Sequence, residues 1–357
     1  MVLIHYRTSK ARAFLRFKDN EETILLQMSD DPERRNWKFV SSNFLGCFKI
    51  IDEENQETLS FEIDHDGEFA IYDEKLIEIE TNNQKIMLLS DLDNTLVGYN
   101  EVARSALIRF NEYWIRKHLF SGSKLVYNTG RDFCRYISLL NDGFELLEPD
   151  LLITGAGVEA YTIDKLSGEY ILHENISDLY DLEHWDSSTV QQIIAKDFPW
   201  LYTPAENNVH KLKIWMKANM QDFLLHSSAL KLYFKNHENL MRYGKIIKAK
   251  IIIAGDNLEW KNFHITAQNG GKNTGVAFAK AFFNFEEKYM IAAGDSGNDI
   301  DMFKGEIWGI IVGNYEEELG AWLNKKPRIN KIISNYSFAD GIIDGIQKIT
   351  KNMSNSQ

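Results

Sequence analysis

The sequence predicts an α/β protein: a core built on a parallel sheet with helices on both faces, preceded by a separate all-β domain. Three observations carry that expectation. Roughly the first 80 residues hold only short β-rich runs separated by polar turns. Apolar strands then alternate with helical stretches, the grammar of a parallel sheet. Two of those later strands run straight into acidic loops, 91–95 and 294–299, at the end of the sheet where such folds place their sites.

The chain has 357 residues, enough for two or three domains. Its composition, 44% hydrophobic and 26% charged, excludes a disordered or fibrous protein. The formal charge is −12, from 52 acids and 40 bases. Bulk electrostatics therefore disfavour nucleic acid and anionic membranes as partners. An anionic small substrate would need a metal ion or a local cluster of cations to hold it. The two cysteines, Cys47 and Cys134, are far apart and in no metal-ligand spacing, which fits a reducing compartment. No apolar run approaches the length of a membrane span, and the N-terminus lacks the pattern of a signal peptide. The expected location is the cytoplasm.

In the N-terminal region the runs 2–6, 13–17, 23–26, 37–40 and 59–63 read as strands, with turns at 18–20 and 64–67. Strands at this spacing suggest a small sandwich. The polar run at 81–84 is the expected domain boundary. Beyond it, 86–90 is continuously apolar, as expected of a strand buried on both faces. A helix is expected over 102–117, a strand over Lys124–Asn128, a helix over 132–141 and a strand over Leu151–Thr154. The stretch 160–265 is mixed: a helix over 187–198, a strand over 211–217, a helix from 221 towards 242, and a strand over 250–254. The central pattern returns with a helix over 273–283 and strands over 289–293 and 307–312. A final helix over 338–351 carries Ile342, Ile343, Ile346 and Ile349 on one face.

The strongest chemical signal is Asp91-Leu92-Asp93-Asn94-Thr95, directly after a strand. Two carboxylates two residues apart can divide the work of a nucleophile and a general acid–base. They also make an oxygen-rich pocket suited to Mg²⁺. A second acidic loop, Gly294-Asp295-Ser296-Gly297-Asn298-Asp299, follows another strand and reads as the far wall of that pocket. Thr129-Gly130-Arg131, at a strand end before a helix, offers a hydroxyl and backbone N–H groups to a phosphate, or else a plain helix cap. Gly270-Gly271-Lys272 opens a helix with a lysine that can neutralise phosphoryl oxygens. It is not a Walker loop, because that spacing is absent.

These four elements, in this order, resemble the motifs of the haloacid dehalogenase (HAD) superfamily of phosphotransferases. Asp91 and Asp93 match the first motif, Thr129 the second, Lys272 the third, and Asp295 with Asp299 the fourth. Within it, the sequence looks like the sucrose-phosphate phosphatase family. The likeness rests on 90–94, 107–111, 128–131, 153–159, the pair His210-Lys211, 294–299 and the C-terminal run 336–345. Asn94 departs from the family pattern, where Gly or His is frequent.

The resemblance implies a Rossmann-like core in two parts, 83–159 and 266–352, with an α/β cap over 160–265; the all-β domain over 1–82, read from its β-rich runs, is an addition to the family's usual extent, and 353–357 is a short tail. It implies Asp91 as nucleophile and Asp93 as acid–base. Mg²⁺ would be held by Asp91, Asp93 and Asp295, with Asp299 behind them. Thr129, Gly130, Lys272 and Asn298 would hold the phosphoryl group, and His210, Lys211 and Glu159 the sugar. Trp185, Trp200 and Tyr202 are further cap candidates, against a core-packing role for each. The expected substrate is sucrose 6-phosphate. The alternatives are another sugar phosphate, such as trehalose 6-phosphate or mannosylfructose phosphate, or an inactive glycan-binding regulator. A sucrose-phosphate synthase is an expected partner. Residues 1–82 resemble starch-binding modules, with Trp37 as the stacking platform for a starch-like glycan. The alternative is a structural β-domain with Trp37 in its core.

Overall fold

The computed structural model describes residues 1–354, apart from 9, 11, 20–21, 53–56, 82–83, 205–209, 236–246, 255–258 and 326–329. Several expectations lie in part outside the described residues: the turn at 18–20, the boundary run at 81–84, the helix read towards 242, and the tail beyond 354. The chain forms two compact units. One gathers residues 1–85, 109–124 and 163–171; the other gathers 86–108, 125–162 and 172–357.

In the first unit, two sheets share one core. One sheet has the order Ser29–Asp30, Trp37–Ser42, Val2–Arg7, Gly67–Tyr72 and Lys75–Glu78; the other runs Glu22–Gln27, Ala13–Asp19, Gly46–Asp52 and Glu57–Ile63. Val2, Ile4 and Ile71 from the first sheet meet Leu15, Phe48 and Ile50 from the second in a single apolar cluster. The alternation of inward apolar and outward polar residues along these strands drives that packing. Trp37 is 6% exposed. Phe120 stands edge-on to its indole, with ring centroids 5.4 Å apart. Arg34 donates to the carbonyl of Leu119 at 3.0 and 3.2 Å, fixing the segment that carries Phe120. The indole thus has a structural setting and offers no open face to a sugar ring.

The second unit is built on a mainly parallel sheet. Its strands run in the order Glu159–Ile163, Leu151–Thr154, Lys124–Asn128, Met87–Ser90, Met290–Gly294, Trp308–Ile311 and Lys331–Ile333. Met87–Ser90 and Met290–Gly294 are parallel neighbours, with Ser90 opposite Ala293. The loops 91–95 and 295–299 therefore leave the sheet side by side. Strand Glu159–Ile163 pairs antiparallel with Leu151–Thr154, so the core sheet continues past 160 and the insert begins later than 160.

The insert has a three-stranded antiparallel sheet, ordered Lys213–Asn219, Trp260–Ala267 and Ala249–Ala254. Its central strand, Trp260–Ala267, is absent from the sequence reading. Phe263 and Ile265 on one face join Val190, Ile193, Leu230 and Phe234 from the helices Ser187–Asp197 and Met220–Lys235. Asn262 and His264 on the other face line a cavity. The polar half of this alternation is what makes the strand look less like core.

Candidate active site

Asp91 is anchored where strand Met87–Ser90 ends: its N–H donates to the carbonyl of Ala293 at 3.0 Å. Lys272, the first residue of helix Lys272–Phe283, is fully buried, and its Nζ lies 2.7 Å from Asp91 Oδ1 and 2.6 Å from Asp299 Oδ1. The other oxygen of Asp299 accepts from the N–H groups of Asp295 and Ser296, at 3.0 and 2.9 Å, and from the Ser296 hydroxyl at 3.1 Å. Asp299 thus ties the lysine to the loop 295–299. Gly294 permits this, because a Cβ there would sit 2.5 Å from the Asp299 side chain. Thr95 donates to Asp295 Oδ1 at 2.8 Å.

Burial and the neighbouring carboxylates raise the proton affinity of this cluster. Burial, offset in part by Lys272, pushes Asp91 up to about 7. Burial, then Asp299 and Asp91, hold Asp295 well above the usual carboxylate range. Lys272 goes up to about 12: the attraction of Asp299 and Asp91 overcomes its burial. One oxygen from each of Asp91, Asp295 and Asp299 lies within 4.8 Å of the others. Three buried carboxylates against one ammonium leave two negative charges without a counter-ion, at a cost that burial makes severe. The donor set is all oxygen. These residues fit a hard divalent cation.

Asp93 faces the cavity, its side chain 41% exposed. Arg131 grips both of its oxygens, Nε at 2.8 Å and Nη2 at 2.6 Å, and also donates to the hydroxyl of Tyr99 at 2.9 Å. Thr129 is buried, and its Oγ1 accepts from the N–H of Arg131 at 3.1 Å. Gly130 and Asn298 line the cavity, with Asn298 Oδ1 accepting from Ser296 at 3.1 Å. Sequence reasoning marked Arg131 only as part of a phosphate loop. Its grip on Asp93, across 38 positions in sequence, carries no local signal.

The cavity, about 570 Å³, runs from Asp91 and Asp93 to the polar face of the insert's sheet. Glu159 and His210 line it, with His210 Nε2 3.8 Å from Glu159 Oε1. Lys211 does not line it: the residue sits exposed in the turn before the strand, where its carbonyl accepts from Trp185. Lys213, the first residue of the strand, takes that place. Its ammonium has no ion pair among the described residues. Burial brings it down to about 8, against the opposing pull of Asp132 and Glu159. Across the sheet, Lys213 pairs with Thr266 and Trp215 with His264. The Nδ1 of His264 is buried without a hydrogen-bond partner among the described residues. Arg135, from the core helix Phe133–Asn141, lies over the Trp215 ring at 4.1 Å. Trp215 is thus the indole at the cavity. Trp185 and Trp200 pack in the insert's apolar core, and Tyr202 meets the ring of Trp260; neither Tyr202 nor Trp260 lines the cavity.

The turn Gly155-Ala156-Gly157 closes one edge of the site with three successive positive φ angles. A Cβ on Gly157 would lie 2.3 Å from the carbonyl oxygen of Gly271, so this turn touches the turn that presents Lys272.

A doubly wound sheet, two aspartates on one strand-end loop, a buried lysine and a second acidic loop define a phosphotransferase core of the HAD type. Residues 84–349 match the family model described as sucrose-6F-phosphate phosphohydrolase. The chain belongs to that family. It is 31% identical over 277 residues to probable sucrose-phosphatase 1 of Arabidopsis thaliana, covering 74% of this chain and 60% of that one. It is 28% identical over 275 residues to sucrose-phosphatase 2 of Nicotiana tabacum, covering 74% and 59%. The chain thus spans about three fifths of the length of the curated relatives it matches. Among solved structures, it resembles the sucrose-phosphatase of Synechocystis sp. PCC6803 in complex with sucrose and phosphate. There the TM-score is 0.59 and the identity 26%, over 75% of this chain and 98% of that one. No described helix is long and apolar enough to cross a membrane.

Proposed function

We propose that this protein is a phosphoric monoester hydrolase that cleaves sucrose 6-phosphate to sucrose and inorganic phosphate, with Mg²⁺ as its cation. The observation that carries the reading is the contact of buried Lys272 with Asp299 and with Asp91, which lines the head of a cavity that continues to Lys213, a cation with no ion pair among the described residues. One end suits a phosphoryl group and the other a polyol. The match to a sucrose-phosphatase crystallised with sucrose and phosphate supports the substrate.

Asp91 attacks phosphorus in line, forming an O–P bond as the P–O bond to the sugar breaks. Asp93 gives its proton to the leaving sugar oxygen. It then takes a proton from the water that attacks the aspartyl-phosphate, and phosphate leaves with the Asp91 carboxylate restored. Arg131 aims Asp93 at the cavity, and each Asp93 oxygen keeps a second lone-pair site for the proton in transit. Lys272, Thr129 and the N–H groups near Gly130 hold the non-bridging oxygens, since phosphoryl transfer depends mainly on position and charge. Asp91, the Asp93 loop and Asp295 would hold the cation, which offsets charge on the phosphoryl group when bound. Asp299, with both oxygens occupied, organises the loop from behind. Lys213, His210, Glu159 and His264 offer donors and acceptors to sugar hydroxyls, with Trp215 as an apolar wall. Trp37 offers no ring face to a starch-like glycan, because the ring is enclosed.

Phosphate release is measured across sucrose 6-phosphate, trehalose 6-phosphate and mannosylfructose phosphate, with Mg²⁺ and with chelator. The expected outcome is Mg²⁺-dependent release, greatest from sucrose 6-phosphate. Preference for another sugar would transfer the assignment to that substrate. No release from any would refute hydrolysis.

A further inference from the structure

Lys250 lies on the insert's edge strand Ala249–Ala254 and does not line the cavity. Its side chain is 19% exposed and turns towards the core. Nζ donates to the carbonyl of Gly270 at 2.8 Å and to Asn273 Oδ1 at 3.3 Å, and it pairs with Asp301. Each partner adjoins a residue of the phosphoryl end. Gly270 precedes Lys272 by two positions, and Asp301 closes the short helix Gly297–Asp301 that contains Asp299.

The surrounding bonds make this junction a knot of both chain crossings between insert and core. Asn269 Oδ1 accepts from the N–H of Asp181 at 2.9 Å, and its Nδ2 donates to the carbonyl of Leu179 at 2.6 Å. The inbound and outbound segments are thereby tied. The carbonyl of Asn269 accepts from Asn273 at 3.0 Å and from Thr274 at 3.2 Å, which locks the turn onto the helix behind Lys272. Lys250 adds a link from the insert's own sheet to that turn, and a second link to the Asp299 helix.

We propose that Lys250 is a positioning residue. It fixes the spacing between the Gly270-Gly271-Lys272 turn and the 297–301 helix, so that seating of the insert sets the contact of Lys272 with Asp299 and Asp91. This rests on Lys272 acting as the phosphoryl-binding cation. A misplacement of this kind costs turnover more than ground-state binding, because the geometry matters most in the transition state.

The test uses the full chain and three variants: Lys250→Met, Lys250→Arg and Asp301→Asn. Hydrogen exchange followed by mass spectrometry should show faster exchange in 269–275 and 297–302 in Lys250→Met. Its kcat on p-nitrophenyl phosphate, which lacks a sugar, should fall about ten- to a hundredfold. KM for the sugar phosphate should move by less than about threefold. Lys250→Arg should recover most of the kcat. Should Lys250→Met not fold, Asp301→Asn breaks the same ion pair from the core side and should open the same two segments. Exchange unmoved in both segments, or a loss confined to KM, overturns the proposal. Wild-type protein inactive on every phosphoester would sink the phosphatase reading alone, since the exchange comparison does not depend on turnover.

Discussion

The two ends of the cavity are built on opposite electrostatic plans. At the phosphoryl end, each cation is answered within the protein: Lys272 by Asp91 and Asp299, Arg131 by Asp93. At the insert end, Lys213 has no ion pair among the described residues and His264 Nδ1 has no partner. A paired site holds its geometry before substrate arrives, as fast phosphoryl transfer requires. A cation on a cavity wall with no protein counter-ion can take up an acceptor that a ligand brings. On the function proposed above, one end serves chemistry and the other recognition, and substitutions at the two ends should differ in kind.

The largest expected effect is Asp91→Asn. Loss of the nucleophile should lower kcat by about 10⁴-fold or more with an intact circular-dichroism spectrum. Substantial residual turnover would break the division of labour at its chemical end. Asp93→Asn should slow breakdown of the intermediate, costing about 10²- to 10⁴-fold. Rapid-quench labelling should then trap phosphorylated protein, and a normal steady-state rate would contradict the acid–base role.

At the recognition end, Lys213→Met should raise KM for the sugar phosphate by about tenfold with a smaller change in kcat, the loss of one charge-assisted hydrogen bond. The pH dependence sharpens the comparison. Lys213 is held down at about 8 by burial, with Asp132 and Glu159 opposing and Arg135 assisting. It is charged below that pH and neutral above it. KM should therefore rise as pH passes through 8, and the Met variant should lose that limb. Because the folded protein gives up this proton before the unfolded chain does, the group adds stability as pH rises from about 8 towards 10.5. A KM profile shared by wild type and variant would place the sugar contact elsewhere.

The same contrast explains what the sequence made legible. Asp91, Asp93, Thr129, Lys272, Asp295 and Asp299 each follow a strand or open a helix, so local grammar places them at one end of the sheet. The register of Ser90 with Ala293 does the rest. The insert end obeys no such rule. Alternation over 211–217 would put Lys211 and Lys213 on one face, but the strand starts only at Lys213, and the turn leaves Lys211 in solvent. His264 and Asn262 come from a strand whose polar face reads as surface until a cavity is seen beneath it. Arg131 needed the fold to meet Asp93. Trp37 needed Phe120, more than 80 residues away in sequence, to become interior.

The close approach of Gly157 to the carbonyl of Gly271 constrains any re-engineering of this protein. A methyl group there has nowhere to go, so the two turns cannot be redesigned one at a time. A graft that exchanges the insert for another specificity module would have to transplant 155–157 and 269–272 together, as a single cassette.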